Sequence, residues 1–189
     1  MKNFTTLLSF IILLSGCTPT IDFDFSIPNV TPSKHKINAQ LKSLSLSYPD
    51  PQNPQKDIPL KIRGGEKGES ETFSIITPWG IALRDALKHS EFFEKEAPKK
   101  VELEVTILEI IAPTIALNFT TTVTAKYTLI DRGTDAILYS DTVKSEATVF
   151  LSYAFTATTR AVESINQAIR KNIATFILNL KNASPSLKF

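Results

Sequence analysis

The chain is poor in the residues that most chemistry requires. Its 189 residues contain one cysteine, two histidines and one tryptophan. A lone Cys cannot close a disulfide within the chain, and with His35 and His89 it cannot assemble a zinc site of the Cys/His type. No metal and no cofactor is therefore expected. Glycine is scarce too, and the group Gly64, Gly65 and Gly68 lacks the Gly-Lys-Ser/Thr ending and the strand-to-helix setting of a phosphate-binding loop. It reads as a mobile loop. Neither sign of charge dominates: 21 Lys and Arg stand against 19 Asp and Glu, for a net charge of +2. Without a long basic block, a nucleic-acid partner is not expected.

Catalysis has equally little to draw on. A hydroxyl nucleophile needs a base within hydrogen-bond reach, and the only imidazoles lie in a proline-rich segment and on a helix. Glu102 and Glu104 share one strand face about 7 Å apart, but an exposed face lacks the cleft that would split their acidities. The chain is expected not to be an enzyme.

What is present begins at the N-terminus. Lys2 precedes an apolar stretch at 4–14, diluted only by Thr5, Thr6 and Ser9 and too short to cross about 30 Å of hydrocarbon. It reads as an export signal. It ends in Leu14-Ser15-Gly16-Cys17, which resembles the bacterial lipobox. That resemblance implies a diacylglyceryl group on the Cys17 thiol, cleavage before it and a membrane partner reached through the lipid. Thr18 in place of Asp implies sorting to the outer membrane, facing the periplasm. Each buried CH₂ contributes about 0.8 kcal/mol, so two or more acyl chains hold durably where one does not. The competing reading is an ordinary signal peptide or an uncleaved anchor with a chance ending.

The expected organisation is a signal peptide at 1–16, lipidated Cys and tether at 17–36, a folded domain at 37–181 and a tail at 182–189. The tether carries Pro19, Pro28 and Pro32, and its random-coil reach is about 25 Å. Phe23 and Phe25 within it offer an alternative, docking on the domain. Leu44, Leu46 and Tyr48 alternate with serines as in a half-buried strand. Residues 55–71 read as an excursion or an edge hairpin. Thr77-Pro78 marks a helix start, with Trp79, Leu83, Ala86, Leu87 and Phe93 on its apolar side. Trp79 is expected in the core.

Three strands follow. Val101, Leu103, Val105 and Ile107 alternate with polar residues, as do Leu117, Phe119, Val123, Ala125, Tyr127 and Leu129. The threonines at 120, 122, 124 and 128 form either an exposed face or a surface for a partner strand. A turn centred on Gly133 leads into the third strand at 137–149. The segment 150–155 is unusually apolar; Leu151, Tyr153 and Phe155 are expected to bury against the sheet or, alternatively, to form an interaction surface for lipid or protein. Thr158 or Thr159 can cap a last helix whose stripe runs from Val162 to Leu180, with Arg160 off that stripe.

The expected fold class is α+β, a single antiparallel sheet of about four strands with two amphipathic helices on one face. With the lipobox, the Ser90-Glu91-Phe92-Phe93 helix end, the hairpin at 127–133 and the closing helix with Ala168, Asn172, Ile173 and Leu180, the arrangement resembles the YajG-type and ABC-transporter auxiliary lipoproteins, and more loosely the LptE group. The resemblance implies a binding or assembly role with an envelope protein partner. The alternative is a carrier of lipid or lipopolysaccharide.

Overall fold

The computed structural model describes residues 22–49, 60–63 and 70–187, the residues at 60–63 and 70–73 as backbone. Leu14, Ser15, Gly16 and Cys17, like Gly64, Gly65 and Gly68, lie outside the described residues. Among the described residues there are six strands, β1 Gln40–Ser47, β2 Leu60–Arg63, β3 Ser70–Phe73, β4 Lys100–Ile111, β5 Phe119–Asp131 and β6 Ile137–Val149, with helices α1 Ile76–Ser90 and α2 Ala157–Ala183. The order β1-β4-β5-β6 makes one four-stranded sheet. The fold class is α+β as expected, with one difference: β1 runs parallel to β4, while β4, β5 and β6 are antiparallel. The connection from β1 to β4 holds a hairpin and a whole helix, long enough for the crossover that a parallel pair demands. That hairpin is β2–β3, a two-stranded sheet of its own and not an edge of the main sheet, and it reaches Phe73, beyond the expected 55–71.

The core lies between one sheet face and the helices. Val101, Leu103, Val105 and Ile107 from β4 and Val123, Ala125, Tyr127 and Leu129 from β5 meet Trp79 and Leu83 from α1 and Ile165, Ile169, Ile173 and Phe176 from α2, all buried. Each layer has one face that must leave water, and their mutual burial at about 25 cal/mol per Å² is the main favourable contribution. Three register shifts interrupt the alternation. Lys42 is skipped in the β1–β4 register, Leu108 in the β4–β5 register and Leu138 in the β5–β6 register. After Leu108 the inward phase passes to Ile110, so Ile111 turns outward.

Helix boundaries differ from expectation by short steps. α1 starts at Ile76, with Ile75 as an N-cap that gives no side-chain bond, so Thr77 is not the cap. Pro78 still falls in the first turn, where its missing amide costs nothing. The helix ends at Ser90 rather than Phe93 because Glu91 takes a left-handed conformation, φ 50°. In α2 the cap is Thr156, whose hydroxyl accepts from the Thr159 amide at 3.3 Å. The helix runs to Ala183, so the expected tail at 182–189 starts as helix and continues into a 3₁₀ turn at Ser184–Ser186. Between β5 and β6, the left-handed residue is Asp135, φ 57°, and Gly133 instead donates its amide to Asp131 Oδ1 at 2.8 Å.

The segment read as a tether is seated on the fold from Asp22 onward. Phe25 is 2% exposed, and Arg170 Nε donates to the Asp24 carbonyl at 2.9 Å. Further along, the Ser33 amide donates to Ser90 O and the Ile37 amide to Phe92 O, each at 2.7 Å. Alternating apolar residues Phe23, Phe25 and Ile27 give this stretch something to bury, which a plain linker lacks.

Candidate functional site

Three surfaces come from the architecture. The first is the end of the sheet where β4 turns into β5 and β6 runs into α2. Phe119 pairs with Val149 at that end, which brings the loop at 112–118 beside the segment at 150–156. The two are tied: the Leu151 amide donates to Asn118 Oδ1 at 3.1 Å. Leu151–Tyr153 forms a 3₁₀ turn, closed by the Tyr153 amide on Phe150 O at 3.0 Å. Leu151, Tyr153 and Phe155 face solvent here, Phe155 fully, instead of burying against the sheet. The reason is packing: Phe119, Val149, Ala161 and Ile165 already fill the core at this end. Leu117, expected on the inward row, is 74% exposed because β5 begins only at Phe119. With Ile111, Ile115 and Phe150 it completes an exposed apolar cap.

Arg160 holds this cap from beneath. It is 4% exposed, and its Nη1 donates to the carbonyls of Ala154 at 2.5 Å and Phe155 at 3.0 Å. Its guanidinium carbon lies 5.6 Å from the Phe119 ring centroid, a cation–π contact. Expected off the apolar stripe, Arg160 is instead a buried clamp. Sequence reasoning missed it because helical spacing registers the apolar face but not a cation neutralised by carbonyls of the preceding turn.

The second surface is a cleft of about 350 Å³ where the docked segment crosses α1, lined by Phe23, Phe25, Ile27, Ile81, Asp85 and His89. His89 Nδ1 is 2.7 Å from the Asp85 carbonyl of its own helix. Asp24 at the rim has its carboxyl held below the usual carboxylate range, first by hydrogen bonds from the Ser26 hydroxyl and amide and then by Arg170. His35 lies apart from this cleft. Among the described residues no His, Cys, Asp and Glu side chains gather in threes where a metal ion would be held.

The third surface is the sheet face turned away from the helices. Thr120 and Thr148 hydroxyls meet across β5 and β6 at 2.9 Å, and Thr122 donates to Glu146 at 3.4 Å. The threonine row at 120, 122, 124 and 128 is half-buried. Its buried counterpart, Thr121, faces α2 and shares a 2.7 Å hydrogen bond with Ser164.

No family model matches the chain, and no curated protein does. Among solved structures, it is similar to protein XCC0632 from Xanthomonas campestris, of the DUF330 family, at 12% identity and a TM-score of 0.57, over 83% of this chain and 94% of that one. A minor lipoprotein from Acinetobacter baumannii aligns at 12% identity and a TM-score of 0.45, over 75% and 93%. Lipoprotein GNA1162 from Neisseria meningitidis does so at 14% and 0.34, over 72% and 97%. At this identity, the likeness to the Xanthomonas protein is one of fold. The mixed sheet with two helices on one face is an arrangement shared with that structure.

Proposed function

We propose that this chain is a lipoprotein of the bacterial envelope, anchored through Cys17 and working by binding within an envelope complex rather than by catalysis. The observation that carries the reading is the position of the one cysteine, at the end of an apolar export signal and directly after Leu14, Ser15 and Gly16. Thr18 supports the outer membrane over the inner, with the folded domain facing the periplasm. The lipobox and the order of elements support placement with the YajG-type and ABC-transporter auxiliary lipoproteins. For the protein partner, the polar sheet face and the β2–β3 hairpin are the surfaces proposed.

A lipid carrier would need an apolar groove between helices and sheet. That layer is filled by Trp79, Leu83, Ile169, Ile173 and Phe176, each fully buried, which supports a binding component over a carrier. The test is a Cys17→Ser chain expressed beside the native one. Native protein should incorporate labelled palmitate and stay with membranes through a salt wash, and crosslinking in cells should recover one recurrent envelope protein. A serine variant that still takes up label, or native protein that takes up none, would refute the anchor.

A further inference from the structure

We propose that the apolar cap at the β4–β5 and β6–α2 end inserts into the same bilayer that holds the Cys17 lipid. This rests on the anchoring reading and adds a second, protein-borne contact to it. The first observation is charge. Residues 110–125 and 147–159 contain no Asp, Glu, Lys or Arg, and these two stretches supply the whole cap. Ile115 is 75% exposed, Leu117 74% and Phe155 100%, with Phe150, Leu151 and Tyr153 more than half exposed. Contiguous exposed apolar side chains of this size mark a contact surface, and a Tyr and Phe fringe without charge suits the headgroup and acyl boundary.

The second observation is presentation. The cap is preformed: Asn118 ties one loop to the other, and Arg160 grips the carbonyls on either side of the Ala154–Phe155 link. Arg160, the cation that follows the second stretch, is thereby turned inward, under the cap, rather than outward into lipid.

The third observation is reach, which puts the bilayer within range of the cap. α2 starts at the cap, and Arg170, which holds Asp24, lies thirteen residues along it. At 1.5 Å per residue this sets Asp24 about 20 Å below the level of Ala157. Cys17 is seven residues before Asp24, a maximum span of about 23–25 Å. The anchor and the cap can therefore meet one membrane plane. A fully flexible 19-residue tether would carry no such constraint; docking of Phe25 shortens the leash.

The test uses the mature lipidated protein in vesicles of phosphatidylethanolamine and phosphatidylglycerol. Because Cys17 would be blocked as a thioether, Ser152→Cys offers a unique thiol for a nitroxide within the 3₁₀ turn, and Ser140→Cys, exposed on β6, is the reference. Insertion predicts that the label at 152 is relaxed more by oxygen than by an aqueous nickel chelate, with the order reversed at 140. Adding Leu151→Asp and Phe155→Asp should return the label at 152 to the aqueous order. A nickel-accessible label at 152 in protein that sediments with vesicles overturns the cap proposal and leaves the anchor standing. Dipolar broadening at 152 assigns the cap to a second copy and also overturns it. Protein that fails to sediment takes the anchor and the cap down together.

Discussion

Asn172 shows what a single side chain does in this core. Buried in α2, it accepts from the Tyr127 hydroxyl at 2.8 Å and donates to Val143 O at 3.0 Å and Ser145 Oγ at 3.1 Å. Ser145 in turn donates to Ala168 O at 2.9 Å. These bonds fix the rotation of α2 over β5 and β6, which apolar contacts alone specify loosely. Asn172→Leu leaves several of these groups buried without partners, and a loss of about 3 kcal/mol in denaturant unfolding is the expected outcome. A variant within about 0.5 kcal/mol of the native chain would show that the network is dispensable. Burial also pushes the Tyr127 phenol far above its ordinary value of 10.0, with Trp79 opposing only in part. A raised folded pKa means that the unfolded chain releases this proton first as pH rises. Stability is then complete below pH 10 and declines above it; unfolding followed from pH 8 to 11 checks the sign, and Tyr127→Phe should flatten that decline.

At the scale of elements, the docked segment is the largest departure from what sequence patterns convey. Proline and the absence of a regular period describe a linker, yet Phe25 reaches the core and Arg170 holds Asp24 from 146 residues away. Pattern reading is local, and a contact over that separation leaves no trace in it. The bulges are similar: Leu108 continues an apolar run, and only pairing with β5 shows that it is skipped. Phe25→Ala should loosen residues 22–30, raising their amide exchange at least tenfold while β4 and β5 stay protected; uniform acceleration along the chain would contradict a separate docking unit. Asp24 adds a pH dependence to docking. Its carboxyl is held below the ordinary aspartate value of 3.8, so its contribution is present above that value and fades as pH falls through the lowered one. Protection factors at 22–30, taken relative to the intrinsic exchange rate at each pH, should fall from pH 5 to pH 3, and Asp24→Asn should remove that fall.

For the whole molecule, strand alternation in β4 and β5 and the stripe on α2 made the layers legible, because burial on one face imposes a period that propensity need not supply. The parallel pairing of β1 was not legible, since a strand carries no sign of its partner's direction. The cap was half legible. Its apolar composition stood out in the sequence, but its exposure depends on Phe119 and Val149 having already filled the end of the core. The proposed anchor rests on the covalent chemistry of one residue, and the cap proposal builds on it. The most direct measurement is the intact mass of the protein extracted from bacterial membranes, with fragmentation of its N-terminal peptide. The account predicts a chain beginning at Cys17 and carrying a thioether-linked diacylglyceryl group; an unmodified Cys17, or an N-terminus elsewhere, would contradict it.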